Sequence, residues 1–179
     1  MAVATKLSAR RLTLDPLTAD DLEDVFQIAR ERESIEDFQH AADSSEEVRA
    51  WLAPSLENPL NLVWVIRKGG KAIGLFDLCF EAEYSDVKDH VCRVGYFVDH
   101  REQRQGFATE ALAAVTAWVF DETDTVRIEA GVTLRNEASS RTLEKVGFVR
   151  EKVVEANWTW RGAVYDSAYY YLSKDLYRS

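Results

Sequence analysis

The chain has 179 residues, 46% apolar and 30% charged, with 8 Gly, 3 Pro and 2 Cys. That is the composition of one globular domain spanning 1–179, long enough to bury a core without a disulfide framework or a structural metal. There are 22 Lys and Arg against 31 Asp and Glu, a formal net charge of −9. No basic block offsets that charge, so nucleic-acid binding is not expected. No window approaches the about 20 consecutive apolar residues of a membrane span, which argues against a membrane partner. With no secretory leader, Cys79 and Cys92 read as reduced thiols of a cytoplasmic protein.

The first pattern is the alternating run Arg11-Leu12-Thr13-Leu14, a strand ended by Asp15-Pro16. Thr18 caps a helix, with Asp21 three residues later in place of the more usual Glu, and Leu22, Val25, Phe26 and Ala29 follow at helical spacing. Residues 31–60 are acidic and helical in parts, with Ser44 or Ser45 as N-cap, Trp51-Leu52 as apolar anchor, and Pro54 and Pro59 closing the segment. From Leu62 the pattern turns to strands. Leu62–Arg67 and Ala72–Phe80 flank the Lys68-Gly69-Gly70-Lys71 turn, a hairpin signal. Residues 81–89 form a polar connection, and Val91–Val98 supplies the next strand. A helix follows from about Gly106 to Asp121, with Ala108, Ala111, Leu112, Val115 and Val119 on one face. Val126–Thr133 is a strand, and Asn136–Val146 a short helix stopped by Gly147. Runs over about 148–158 and 164–172 are the last two strands. The order predicts a mixed α/β sheet with helices on both faces.

The segment Val98-Asp99-His100-Arg101-Glu102-Gln103-Arg104-Gln105-Gly106-Phe107-Ala108-Thr109 lies between a strand and a strong amphipathic helix. A glycine opening a helix leaves unpaired backbone N–H groups at the positive end of the helix dipole, which makes an anion cradle. Gly106 permits close approach, Ala108 keeps the next turn small, and Arg101 and Arg104 add charge. Neither a Walker A loop nor a Gly-x-Gly-x-x-Gly fingerprint is present, so nucleotide hydrolysis and nicotinamide binding are not indicated.

Together with its neighbours, Gln103-x-x-Gly106-x-Ala108 resembles the pyrophosphate loop of the GNAT superfamily of acyl-CoA-dependent N-acyltransferases, and more narrowly the RimJ/RimL-like branch. The resemblance also rests on Arg11-Leu12-Thr13-Leu14 with Asp20-Asp21, Ile73-Gly74, Val94-Gly95-Tyr96 and Gly106-Phe107-Ala108-Thr109-Glu110-Ala111. Asn136-Glu137-Ala138-Ser139 and Leu143-Glu144-Lys145-Val146-Gly147-Phe148 complete it. It implies a mainly antiparallel sheet of about seven strands, splayed between strands 4 and 5, with acetyl-CoA in the cleft. Phe97 and Val98 would then bond the pantetheine as an added strand would, and Gln103, Arg104, Gln105, Gly106, Phe107, Ala108 and Thr109 would wrap the pyrophosphate. Asn136 would face the cofactor, or N-cap its helix, or both. Ser139 corresponds to the serine that donates a proton to the leaving thiolate.

The implied reaction is direct attack of a primary amine, on a small molecule or a protein N-terminus, on the acetyl thioester. No cysteine nucleophile is needed, and both cysteines read as apolar strand residues. The position where RimL-like enzymes carry a glutamate near the amine is Trp158, and the usual acidic position before the Val-Gly-Tyr run is Arg93. The remaining candidates for the base are Glu129, Glu155 and Asp166; Glu129 comes first, with a scaffold role holding Arg127 or a loop equally open. Glu155, Trp158 and Asp166 are candidates for the substrate side, Asp166 being structural or substrate-facing. Asn157 to Gly162 forms either an aromatic wall for a cationic group or a core-and-edge strand pair. Tyr169, Tyr170 and Tyr171 read as packing residues. His40, His90 and His100 have no paired ligand spacing, so no metal is expected. A sensor that binds acyl-CoA without turnover and a cofactor-free interaction module are the rival readings. Homodimerisation through the late strands would use the aromatics around Trp158 and Trp160.

Overall fold

The computed structural model describes residues 3–31, 45–58, 60–80, 90–160 and 162–178. Its strands are β1 (Leu7–Ser8), β2 (Thr13–Pro16), β3 (Asn61–Lys68), β4 (Lys71–Cys79), β5 (Val91–Val98), β6 (Arg127–Thr133), β7 (Val149–Trp160) and β8 (Ala163–Ser173). The helices are α1 (Leu22–Ala29), α2 (Ser45–Glu57), α3 (Phe107–Glu122), α4 (Glu137–Val146) and α5 (Lys174–Arg178). One sheet holds all eight strands in the order β1-β2-β3-β4-β5-β6-β8-β7. The expectation of about seven strands is one short because β1 is two residues long, below the length at which alternation can show.

Each helix has a local cause. Before α1, Thr18 N and Oγ1 both donate to Asp21 Oδ2, at 2.9 and 2.8 Å. The other Asp21 oxygen bonds Arg67 of β3, so the cap also ties the helix to the sheet. At the end of α4, Gly147 has φ +103° and its N–H and that of Phe148 close on Glu144 and Leu143, the left-handed stop that glycine adopts without steric cost. Helix α2 corrects one expectation: it runs through Pro54 to Glu57 instead of ending there. The lost N–H is tolerated because fully buried Leu52 anchors the helix to the sheet. The expected cap Ser44, the stop at Pro59, the connection 81–89, His40 and Arg161 lie outside the described residues.

Helices cover both faces. Leu112, Val115, Val119 and Phe120 of α3 and Leu143 of α4 pack with Trp64, Phe76, Val94, Val98 and Ile128. Val25, Ile28 and Ala29 of α1 and Leu52 of α2 pack with Val63, Val65, Leu75 and Phe97 on the other face. Period-two alternation explains the division: Phe76 and Tyr96 are cross-strand partners facing α3 and α4, while Asp77 and Gly95, one position along, are partners on the α1 and α2 face. No described helix is long and apolar enough to cross a membrane.

Strands β5 and β6 are the parallel neighbours, and their ladder is short. It pairs Val91 with Arg127, Cys92 with Ile128 and Arg93 with Glu129, then stops. From Val94 onward β5 follows β4, and from Ala130 onward β6 follows β8. The two strands therefore part like a V whose mouth points toward the start of α3.

Candidate active site

The loop after β5 is fastened before it reaches α3. Asp99 Oδ1 accepts from Arg101 N at 3.0 Å and Nε at 3.1 Å, and Gln103 Nε2 donates to the Val98 carbonyl at 3.0 Å. Arg104 has φ +60° and Gly106 φ +81°. Left-handed residues spaced this way turn successive N–H groups into one concavity at the first turn of α3, where they meet the helix dipole. The exposed Gly106 leaves that concavity open; the nearest atom to a Cβ built there is Arg11 Nη2, at 3.5 Å.

Arg11 was not legible as a site residue. Its guanidinium lies 4.5 Å from the ring centroid of buried Phe107, and Lys68 Nζ lies 4.9 Å from the same ring. Arg11 is held by Glu110 of α3, which accepts from both its backbone N and its Nε. Lys68 bonds Glu102 at 2.8 Å and holds that carboxyl below the ordinary range. Two cations, Arg11 from the turn before β2 and Lys68 from the end of β3, thus flank the N-terminus of α3, an environment suited to an anion.

On the edge of β5 that faces the V, the expectation for Phe97 and Val98 divides. A Cβ on Gly74 would collide with the Phe97 carbonyl, and Asp99 N donates to Ile73 O at 2.8 Å, so these groups face β4. Backbone groups alternate along a strand, which turns Val98 to the open edge and corrects the pairing predicted for Phe97. Below the V, Tyr96 Oη lies 3.1 Å from Ser139 Oγ, joining β5 to α4 across the gap. Ser139 is positioned by Asn136, whose Oδ1 accepts from Ser139 N at 3.0 Å, the N-cap expected of Asn136. Burial pushes the Tyr96 phenol up to about 12, so it stays a hydrogen-bond donor at neutral pH.

On the opposite face, Glu129 is engaged rather than poised: Arg127 Nε donates to it at 2.7 Å. Arg127 also bonds Glu151 at 2.7 Å and covers the Tyr171 ring at 4.0 Å. The scaffold alternative for Glu129 is thus the one its geometry favours. Asp166 has a structural partner, accepting from Ala156 N at 2.9 Å. Ala156 has φ +50° and lies in the register shift of β7 between Val154 and Trp158. That shift brings Asn157 Nδ2 to 2.8 Å from Tyr169 Oη, and the Tyr169 ring lies 3.6 Å from where a Cβ of Gly131 on β6 would stand. Glu155 is exposed in the same bulge. Trp158 is half-buried and packs its ring against Tyr165, 6.1 Å between centroids, while the side chain of Trp160 lies outside the described residues.

Tyr170 is buried in the core as expected of a packing residue. Cys92 is buried, its thiol pushed well up by desolvation, which makes it inert as a nucleophile. Among the described residues no group of three His, Cys, Asp or Glu could hold a metal ion.

Residues 11–149 match the family model described as an acetyltransferase (GNAT) domain. The chain belongs to the GNAT acetyltransferase family. YjcK of Bacillus subtilis (strain 168), a probable N-acetyltransferase, is 44% identical over 64 residues, 36% of this chain and 35% of YjcK. The match therefore spans about a third of that relative's length. RimL, a ribosomal L7/L12 alpha-N-protein acetyltransferase solved in complex with coenzyme A, superposes with TM-score 0.83 at 17% identity, over 96% of this GNAT chain and 99% of that one. The spermidine N-acetyltransferase of Vibrio cholerae, solved with CoA and spermine, gives TM-score 0.81 at 20% identity, over 94% and 99%. At these identities the two structures share the fold with this GNAT chain.

Proposed function

We propose that this chain is an acetyl-CoA-dependent N-acetyltransferase of the RimJ/RimL-like branch, moving an acetyl group to a primary amine of a small molecule or a protein N-terminus. The observation that carries the reading is the parting of β5 and β6 after Arg93 and Glu129, with the Gly106 cradle at one end and the Tyr96–Ser139 pair beneath. The cradle and the open edge fit coenzyme A: Gln103 to Thr109 would wrap its pyrophosphate, with Arg11 and Lys68 beside them, and the Val98 backbone would pair with the pantetheine. Bound there, acetyl-CoA supplies a thioester that a neutral amine attacks directly.

The chain's own groups have separable tasks. Ser139 gives a proton to the departing sulfur and is resupplied through Tyr96, which burial keeps protonated. Asn136 fixes the Ser139 backbone. On the α1 and α2 face, Glu129 with Arg127 shapes the wall along which the amine arrives, together with Tyr169 and Asn157. Trp158, Glu155 and Asp166 line or support the β7–β8 hairpin, which sets which amines are accepted. The test is release of free CoA thiol from acetyl-CoA in the presence of spermidine, an alanyl-glycine amide peptide or tyramine. Amine-dependent release supports the reading. Tight acetyl-CoA binding without release from any amine would favour a sensor.

A further inference from the structure

Resting on the proposed acetyl transfer, we propose that Asp77 is the base that takes the proton from the acceptor amine. Asp77 belongs to β4, but its carboxyl reaches across to β5. Its cross-strand partner is Gly95, and a Cβ on Gly95 would collide with Asp77 Oδ1. The carboxyl therefore lies over the backbone of the strand that borders the V, on the face where Glu129, Tyr169 and Asn157 stand. Any residue larger than glycine at 95 would push it back toward β4.

Asp77 Oδ1 is buried and has no hydrogen-bond partner among the described residues. A buried carboxylate oxygen without a partner is costly in a purely structural role, where it would be capped by a donor. Most buried groups of this fold have such partners; Asp21 and Asp99 each bond their own loops. Asp77 instead holds a lone pair ready for a proton. The residue as a whole is half-buried, with Oδ1 on its buried side.

The charged surroundings suit a base. Desolvation pushes the carboxyl up to about 6, opposed first by a hydrogen bond from the backbone N–H of Asp77 itself and then by the Arg93 guanidinium on β5. Glu129 is the parallel partner of Arg93 and is itself paired with Arg127, so the wall carries alternating charges. The helices packed on this face turn apolar Val25, Ile28, Ala29 and Leu52 inward, while Glu23, Asp24, Arg30, Glu46, Glu47 and Arg49 are exposed. A carboxylate of this kind is ionised at neutral pH and still a far better proton acceptor than an ordinary surface aspartate.

The step balances without another reactant. The amine nitrogen loses a proton to Asp77 and forms the new N–C bond to the acetyl carbon; the C–S bond breaks, and the sulfur leaves with a proton from Ser139. Asp77 then returns its proton to water, and water restores the Ser139 hydroxyl through Tyr96, so neither residue is left changed.

The experiment pairs Asp77→Asn and Gly95→Ala with wild type in three measurements: kcat/KM against pH with spermidine and alanyl-glycine amide, calorimetric affinity for acetyl-CoA, and carboxyl-carbon NMR of Asp-labelled protein without ligand. The expected result is an acid limb near pH 6 in wild type that Asp77→Asn removes, with a fall of about 10²-fold or more and acetyl-CoA affinity within twofold. A carboxyl signal titrating near pH 6 disappears in Asp77→Asn and shifts in Gly95→Ala. Wild-type rates and an intact limb in Asp77→Asn overturn the assignment while acetyl transfer stands. A carboxyl that titrates near 4 overturns it as well, independently of any activity. Wild type that releases no CoA with any amine removes the reaction and the base together.

Discussion

Arg93 of β5 and Glu129 of β6 are the last partners in a three-pair parallel ladder, and beyond them each strand follows its other neighbour. The features the proposed function uses lie around that parting: the cradle at Gly106, the Tyr96–Ser139 pair on one face and the Asp77 carboxyl on the other. Five expectations follow from this arrangement.

Ser139→Ala lowers turnover by about 10-fold to 10²-fold with acetyl-CoA affinity nearly unchanged, because a hydroxyl that protonates the leaving group acts in the transition state. Tyr96→Phe has a similar but smaller effect. The two combined lose less than the product of the single effects, since both act through one hydrogen bond of 3.1 Å. A full additive loss in the double variant would show that the residues work independently.

Asp77 also has a consequence for stability. Its carboxyl is raised from 3.8 to about 6, so between those values the folded chain holds a proton that the unfolded chain has lost. Stability therefore falls as pH rises through that window and stays lower above it. Asp77→Asn lacks the penalty and gains on the order of 2 to 3 kcal/mol at pH 8 and little at pH 3.5. Melting temperatures at the two pH values measure the difference; an equal shift at both would contradict it.

The Arg11–Glu110 pair joins the segment before β2 to the first turn of α3 through a backbone N and the guanidinium. Glu110→Ala breaks both contacts and costs about 0.5 to 1 kcal/mol in urea unfolding, because the exposed Arg11 donors turn to water. It also frees Arg11 beside Gly106, so acetyl-CoA affinity changes along with stability. A stability loss with unaltered affinity would remove Arg11 from the cradle.

Asp166→Ala removes the acceptor for Ala156 N and loosens the bulge that holds Asn157 on Tyr169. The expected outcome is a higher KM for the amine, with acetyl-CoA affinity preserved. Steady-state kinetics with each substrate varied in turn separates the two. A change confined to acetyl-CoA would contradict the placement of this hairpin on the amine side.

Gly106→Glu places a carboxylate in the cradle and forces an L side chain into φ +81°. The backbone strain costs about 1 kcal/mol, yet the electrostatic effect removes cofactor binding. Gly106→Ala carries the same strain without the charge and retains measurable affinity, which calorimetry resolves.

What the sequence made legible is what local windows encode. The cradle is read from a polar loop, a glycine and an amphipathic helix in series, and the Asn136 cap and the Gly147 stop are read the same way. The Gly69-Gly70 hairpin and the α3 face carrying Leu112, Val115 and Val119 also match. Relations across strands were not legible. Asp77 over Gly95 depends on a register set by the β4–β5 ladder, and Arg11 beside Gly106 depends on contacts across 95 positions of chain. Glu129 was found by its place beside the V, but its partner Arg127 decided what it does. Asp77 carried a signal in the sequence, a lone acid within the apolar run of β4, whose meaning needed the glycine opposite.

The most direct test of the account is a calorimetric titration of the purified protein with acetyl-CoA, repeated with Gly106→Glu. Saturable binding by wild type, lost in the variant, is the predicted result. Absence of heat together with no thermal shift at about 1 mM ligand, where a cofactor held at about 10 μM stabilises by about 2.7 kcal/mol, would contradict it.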